Sequence, residues 1–275
     1  SSKTNISNQG LILDSSFDID ISALESKLTT TKIGRPLQVL SQIDSTNEEI
    51  RRSLTLPEGA IVIADLQTHG RGRQGRSWHS EPGTGLYISA LLKPNLPPEK
   101  LSLITLMAGV ATASAIQQLA SVPVKLKWPN DILLNGKKLA GILCECIHGT
   151  PPAVIVGIGI NLNQSTFPAD IQNIATSIKL ETGNTLNRTD LVLSLLENLD
   201  HEYEEFLQEK RESLTLKWTE KTDMFDKVIT VYQKGISLTG TAIGLDQEGR
   251  LILQTQDGKQ HILDSGEVSF NAPTL

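Results

Sequence analysis

Three arginines and three glycines lie within the ten-residue stretch His69–Trp78, which has the sequence HGRGRQGRSW. Arginine presents a planar set of donors that fits carboxylate and phosphate groups, and glycine lets the backbone approach a ligand closely. The spacing therefore indicates a loop that captures an anion and becomes ordered around it. The arginines are Arg71, Arg73 and Arg76, and the glycines are Gly70, Gly72 and Gly75.

The composition of this loop leaves two other interpretations open: a solvated surface loop and an RGG-like segment that binds nucleic acid. The three glycines also match G-x-G-x-x-G, but a dinucleotide-binding fold requires a helix to begin within that motif. Here Pro82, Gly83 and Gly85 follow, and the next predicted element is a strand, which argues against that fold. The sequence also contains no Gly-Lys-Ser/Thr, so the loop is not a Walker P-loop.

A second group of polar residues occurs in KWPNDILLNGKKLAGIL, from Lys127 to Leu143. A Pro-Asn-Asp step at the end of a strand projects polar side chains from a rigid turn. Asn135-Gly136 is a favoured two-residue hairpin turn, and Lys138 follows it directly. From this segment alone, Lys138 is either a functional cation or an ordinary solvated lysine on a strand.

The periodicity of hydrophobic residues predicts the elements that must position these side chains. Ser45 and Glu48 form an S-x-x-E capping box, which marks a helix start. Five short apolar runs separated by turn residues follow Asp226 and predict a small barrel. Strands are predicted at 36–43, 60–66, 85–92, 124–128 and 153–163, and other helices at 21–28, 101–119, 188–208 and up to residue 221.

Composition limits the classes of function that the chain can have. Its 275 residues carry a net charge of −6 and are 39% hydrophobic, which predicts a packed core and argues against a broad nucleic-acid interface. The only two cysteines, Cys144 and Cys146, suit a reducing cytosol, and we expect both to be small core side chains. Neither a membrane span nor a signal peptide is expected.

Five motifs in this order resemble those of biotin protein ligases, and the resemblance extends from about Pro36 to the C-terminus. Each motif alone has modest specificity, but the ordered set with matching gaps is specific. The motifs are STN at 45–47, GRGRQGRSW at 70–78, KWPND at 127–131, KLAGIL at 138–143 and GIGINLN at 157–163.

The resemblance implies an α+β fold, in which a mixed β-sheet carries helices on one face, as in class II synthetases and biotin/lipoate ligases, and is followed by an SH3-like barrel. It divides the chain into an N-terminal extension at 1–35, a catalytic domain at 36–225 and the barrel at 226–275. It also implies that biotin and ATP form biotinyl-5′-adenylate and pyrophosphate, and that the biotinyl group then moves to a lysine of a biotin carboxyl carrier domain.

The same resemblance assigns roles to individual residues. Lys138 is expected to be the central catalytic group, assisted by Arg73. Asp131 is expected either to help hold Mg²⁺ brought with ATP or to accept a proton from the incoming lysine. The residues expected to bind biotin and ATP are Ser45, Thr46, Asn47, Gln67, Gly70, Arg71, Gly72, Arg73, Arg76, Trp78, Asn130, Lys138, Gly141 and Asn161.

Two further expectations concern the organisation of the protein. Only about 35 residues precede the matched region, too few for a winged-helix domain, so a ligase without a DNA-binding domain is expected in the cytoplasm. The edge strands of the main sheet offer a way to pair two copies as a homodimer. The alternatives that remain are a lipoate ligase or octanoyltransferase of the same superfamily, and a non-catalytic nucleotide- or RNA-binding module.

Overall fold

A seven-stranded mixed sheet forms the centre of the protein, which we describe from a computed structural model covering residues 18–97, 100, 102–149 and 152–270. The strand order is β1-β2-β3-β7-β6-β5-β4; β1 and β2 are parallel, and all other neighbours are antiparallel. The strands are β1 (Leu37–Ile43), β2 (Ile61–Gln67), β3 (Gly85–Leu92), β4 (Lys125–Lys127), β5 (Asp131–Leu134), β6 (Lys137–Ile147) and β7 (Ala153–Asn161).

The long helices cover one face of this sheet, as expected, while one short helix lies on the other face. Ile50 of the short helix packs with Val62, Leu91 and Ile155 in a separate hydrophobic cluster on that opposite face. The helices are α1 (Ile21–Lys27), α2 (Thr46–Arg52), α3 (Ser102–Ala120), α4 (Ile178–Thr182), α5 (Arg188–Leu207) and α6 (Arg211–Glu220). Helices therefore lie on both faces of the sheet, with α2 on the second.

Helix α3 is apolar all round because it is a core helix. By length and hydropathy it could cross a membrane, but 67% of its apolar window is buried inside the protein. It packs against α5 on one side and against β4, β5 and β6 on another. This agrees with the prediction of a long buried helix in this segment.

The five predicted C-terminal strands form one antiparallel sheet of order β11-β10-β9-β8-β12. Trp128 anchors this sheet to the central one, since its indole N–H donates to the carbonyl oxygen of Gly249 at 3.1 Å and its side chain is buried. The strands are β8 (Val228–Gln233), β9 (Ile236–Leu245), β10 (Leu251–Gln254), β11 (Gln260–Leu263) and β12 (Glu267–Ser269).

Two local predictions were wrong in part. Helix α2 begins after Ser45 as expected, but the Ser45 side chain makes no capping hydrogen bond, and Glu48 instead binds Arg71 at 2.8 Å. Cys146 is exposed rather than buried, because it lies near the end of β6, whereas Cys144 is half-buried. Burial raises the pKa of the Cys144 thiol to about 12.

Candidate active site

A cleft opens on the sheet face opposite α3 and α5, between the arginine-rich loop and β5, β6 and β7. Most residues that the sequence singled out line it, although they come from four separate parts of the chain. Those that line the cleft are Ser45, Thr46, Asn47, Gln67, Arg71, Gly72, Arg73, Arg76, Trp78, Asn130, Asp131, Lys138 and Gly141.

Two predicted residues, Gly70 and Asn161, lie behind the lining. Gly70 packs against Trp78, and a Cβ atom at this glycine would lie 2.8 Å from the Trp78 carbonyl oxygen. Asn161 is buried, and its side-chain amide lies 3.5 Å from the main-chain oxygen of Lys138. Both residues therefore contact cleft residues from outside the cleft.

The arginine-rich loop folds back on itself as a small closed turn. Arg71 and Ser77 form an antiparallel bridge, and the Gly72 amide donates to the Arg76 carbonyl at 2.7 Å. The residues between them form a single turn of 3-10 helix at Arg73–Gly75, and the chain then runs on to β3. The missing helix agrees with the argument against a dinucleotide-binding fold.

The three loop arginines contact three different parts of the protein. Arg71 binds Glu48 of α2, and Arg76 binds Glu267 of β12 with an Nη1–Oε1 distance of 2.8 Å. This pair raises the pKa of the Arg76 guanidinium and lowers the pKa of the Glu267 carboxyl. Arg71 and Arg76 are thus each paired with a protein carboxylate. An anionic ligand would either replace that carboxylate or bind beside it.

Arg73 is the most enclosed of the three, and burial lowers the pKa of its guanidinium. Its Nη1 donates to Asn130 Oδ1 at 3.1 Å and to the Gly266 carbonyl oxygen at 3.3 Å. Neither of these two partners carries a charge, so the positive charge of Arg73 is available to an anionic ligand in the cleft. Arg73 also joins the loop, the turn before β5 and the C-terminal sheet at one point.

Lys138 lies opposite the loop and forms a charged group with residues of β4 and β5. Its ammonium nitrogen is 2.7 Å from Asp131 Oδ1, and the Lys127 ammonium is 4.0 Å from Asp131 Oδ2. Burial lowers the pKa of Lys127, while Asp131 opposes that shift. Lys138 also lies 5.4 Å above the Trp78 ring, within cation–π range.

A β-bulge in β6 directs Lys138 into the cleft. Ile132 pairs with Ala140 but Leu133 pairs with Lys138, so Leu139 is an extra residue. Leu139 and Ala140 are therefore both buried in the core, and Lys138 returns to the cleft face. Strict alternation would have turned Lys138 toward the helices.

The Trp78 ring packs against the backbone of two glycines in neighbouring strands. A Cβ atom would lie 2.5 Å from the Trp78 ring at Gly159 and 2.8 Å from it at Gly141. The indole N–H is buried without a hydrogen-bond partner among the described residues. The ring is thus fixed in place with an unused donor, which is a suitable arrangement for a planar ligand.

A buried polar network fixes the end of the cleft at α2. Ser89 is fully buried, and its hydroxyl lies 2.7 Å from Thr46 Oγ1 and 2.6 Å from Asn47 Oδ1. Gln67 Oε1 accepts the Thr46 amide at 2.9 Å, and Asn47 Nδ2 donates to Glu145 at 2.7 Å. The side chain of Asn47 is therefore used within the protein, whereas the Gln67 amide nitrogen has no partner in this network.

The sequence analysis missed several residues of this site. Alternating glycines in a strand, as in GIGI of β7, could have signalled a surface on which a ring packs. Lys127 begins the KWPND motif but was given no role, and the remaining residues carry no local signal because their role depends on docking between distant segments. The missed residues are Ser89, Lys127, Glu145, Gly157, Gly159, Gly266 and Glu267.

Two protein-family models match the chain. The model of the Biotin/lipoate A/B protein ligase family matches residues 39–161, and the biotin protein ligase C-terminal domain matches residues 227–271. The first match contains the arginine-rich loop and the Lys138 hairpin, and the second contains the C-terminal sheet.

Individual relatives extend the match over most of the chain. The bifunctional ligase/repressor BirA of Bacillus subtilis is 36% identical, over 86% of this chain and 74% of its own length. The biotin–[acetyl-CoA-carboxylase] ligase of Mycobacterium tuberculosis is 29% identical, over 85% of this chain and 88% of its own.

A solved structure shows the same fold. The biotin protein ligase from Aquifex aeolicus, in complex with biotin and ATP, superposes with a TM-score of 0.76 and 32% identity, over 86% of this chain and 98% of that one. Fold and sequence thus agree, and the chain belongs to the biotin protein ligase family.

Proposed function

We propose that the cleft joins biotin to the α-phosphate of ATP and then passes the biotinyl group to a lysine of a carrier domain. The observation that carries this is the set of five cations among the described residues that line one cleft, in a chain that is acidic overall. Arg71, Arg73 and Arg76 lie on the loop, and Lys127 and Lys138 lie across from them. The activity is that of a biotin protein ligase, ATP-dependent and AMP-forming.

The cations offset an electrostatic repulsion between the two substrates in the first half-reaction. A carboxylate must approach a phosphate, and two unit charges 4 Å apart repel by roughly 4 kcal/mol at an effective dielectric constant near 20. Since about 1.4 kcal/mol changes a rate tenfold, this repulsion would cost nearly three orders of magnitude. Positive charge concentrated around the cleft offsets this repulsion at the point where the carboxylate and the phosphate meet.

The end of the cleft near α2 suits the ureido ring of biotin. That ring has one carbonyl and two N–H groups, which hydroxyl and amide side chains can pair. Ser45 makes no capping bond, and Gln67 holds Thr46 in place while its amide nitrogen remains available. Ser45, Thr46, Gln67 and Arg71 are our candidates for the biotin contacts.

The opposite end suits the adenylate. Trp78, fixed on Gly159, offers an aromatic plane and a buried donor. Asn130 is within reach, and its Oδ1 is already held by Arg73 at 3.1 Å. We assign Arg73, Arg76 and Lys138 to the biotin carboxylate and the α-phosphate. Lys138 would stabilise the negative charge that develops in both half-reactions.

Asp131 is better suited to ion pairing than to holding a metal. Mg²⁺ prefers carboxylate oxygens together with substrate phosphates, but Asp131 already faces the ammonium groups of Lys138 and Lys127. Glu267, the other cleft carboxylate near the loop, is bound by Arg76. These residues do not form a protein site for Mg²⁺, so we propose that the ion is bound by the ATP phosphates alone.

The acceptor is a biotin carboxyl carrier domain, and its lysine must reach the cleft as an uncharged amine. Asp131, beside Lys138, is our candidate for the base that accepts the proton of the carrier lysine.

The two free thiols fit a reducing compartment, so we place the enzyme in the cytoplasm. A homodimer through an edge strand remains a prediction; the two edges of the central sheet are β1 and β4.

The direct test of this function is incubation of the protein with labelled biotin, ATP and a carrier domain of acetyl-CoA carboxylase. Label should appear on the carrier and pyrophosphate should be released, while a carrier whose acceptor lysine is changed to arginine should stay unlabelled. Lipoate or octanoate driving the exchange in place of biotin would favour the lipoate ligase alternative. Binding to RNA that weakens steeply with salt, without pyrophosphate release, would favour the non-catalytic module.

Gly159→Ala is expected to weaken ATP binding. The new Cβ atom would lie 2.5 Å from the Trp78 ring, and overpacking of this kind costs about 1–3 kcal/mol. We expect the KM for ATP to rise about tenfold, measured by pyrophosphate exchange. Gly109→Ala in α3 is the matched control, because its Cβ atom would meet nothing closer than 3.5 Å. Equal KM values for the two variants would remove Trp78 from the nucleotide site.

A further inference from the structure

Strand β6 stops pairing with β7 before it reaches Lys138, and another segment hydrogen-bonds with the Lys138 main chain. The β6–β7 pairing ends at Ala140 and Ile160. At Lys138 a segment from the loop after β7 takes over: the Lys138 amide donates to the Ile174 carbonyl at 2.8 Å, and the Thr176 amide donates to the Lys138 carbonyl at 2.9 Å. The backbone on this side of the bulge is therefore held by residues 174–176.

Glu181 of α4 links this segment to the hairpin turn that precedes Lys138. One carboxylate oxygen accepts the Thr176 hydroxyl at 2.5 Å, and the other accepts the Asn135 side-chain amide at 2.5 Å. These two hydrogen bonds lower the pKa of the Glu181 carboxyl, so the group is a carboxylate with two good donors. The Glu181 side chain thus links the turn before Lys138 to the segment that hydrogen-bonds with the Lys138 main chain.

Helix α4 has anchors that do not involve Glu181. The Ser177 hydroxyl donates to the Gln164 carbonyl at 2.7 Å and accepts the Leu180 amide at 3.0 Å. The Lys179 amide donates to the Leu162 carbonyl at 2.9 Å. Loss of the Glu181 carboxylate should therefore release the hairpin turn without unfolding α4.

We propose that Glu181 is a positioning residue for Lys138, with no contact to the substrates. It fixes the main chain on the turn side of the bulge, so that the Lys138 ammonium meets the cleft at a defined height above Trp78 and beside Asp131. This inference rests on the catalytic role proposed for Lys138. Because a small displacement of a catalytic group slows chemistry more than it weakens binding, the effect belongs in kcat.

Glu181→Ala tests this in the full-length enzyme. We expect kcat for biotin-dependent pyrophosphate exchange to fall about tenfold, while KM for biotin and ATP changes less than about twofold. Glu181→Gln should restore most of kcat, since an amide can hydrogen-bond with both Thr176 and Asn135. Leu180→Ala, on the same helix and 48% exposed, is the control and should keep the wild-type kcat. Unchanged kcat in Glu181→Ala, or a rise in KM alone, would overturn the proposal.

A double variant separates positioning from general weakening of the fold. If Glu181 acts through Lys138, Glu181→Ala should add almost nothing in a Lys138→Ala background, because the two changes are then not additive. The same tenfold loss appearing in both backgrounds would contradict the proposal. Wild-type kcat in Lys138→Ala alone would instead contradict the role of Lys138, and so the two failures are distinguishable.

Discussion

Lys138→Ala is expected to lower the rate of biotin-dependent pyrophosphate exchange by about 10²–10³-fold, as the loss of one transition-state donor does in other enzymes, while the protein stays folded. The Lys138 ammonium lies opposite the loop arginines and pairs with Asp131 at 2.7 Å. Its side chain remains 35% exposed, so truncation leaves no cavity in the core. The rate constants come from exchange assays, and the fold is checked by thermal unfolding.

The neighbouring lysine supplies a matched control for this prediction. Lys137 pairs with Leu134 and so lies on the other face of the hairpin, away from the cleft. Lys137→Ala should keep exchange near the wild-type rate. Lys138→Arg preserves the charge but not the shape of an ammonium, and we expect intermediate activity. Equal rates for Lys137→Ala and Lys138→Ala would show that charge on this hairpin does not act in the reaction.

Arg73→Gly is expected to release biotinyl-adenylate from the protein. Arg73 joins the loop to Asn130 and to Gly266, and its loss would open the cleft to water. A hydrogen bond to a charged group contributes about 1.5–3 kcal/mol, which corresponds to about a 10- to 150-fold faster escape. The escaped anhydride should label exposed lysines of added proteins, which can be measured as biotin on bovine albumin without any carrier.

Arg73→Ala separates the lost guanidinium from the added backbone freedom. If the contacts of the side chain retain the intermediate, alanine and glycine should leak to a similar degree. Leakage from the glycine variant alone would assign retention to loop stiffness. A variant that keeps the intermediate as well as the wild type would contradict the retaining role of Arg73 and leave it a purely local contact.

Local patterns predicted most of the secondary structure. The strand at Gly85–Leu92 and the hairpin at Asn135-Gly136 were correct because alternation and turn chemistry act over a few residues. The five-residue α4 was missed because its evidence is only a serine cap and a C-terminal glycine at Gly183. The capping box at Ser45 was misleading, since the Glu48 carboxylate is used by Arg71 instead.

The site was predictable in its motifs but not in its assembly. The arginine-rich loop and Lys138 stand out by residue type, and their resemblance to a family suggested their partners. Nothing near Arg76 indicates Glu267, which lies 191 positions further along the chain. Such pairs depend on how the C-terminal sheet docks on the central sheet, and sequence periodicity carries no information about that.

The extra residue in β6 makes the hairpin sensitive to length rather than to composition. Replacing Leu139 by another apolar residue alters only the fit inside the core. Deleting it would remove the bulge and still leave Lys138 next to Ala140 on the cleft side. Inserting a further residue beside it would instead change the face of every side chain from Lys138 back to the turn. Lys138 would then point into the hydrophobic interior and Lys137 toward the cleft, so an insertion of one codon here is more harmful than many missense changes.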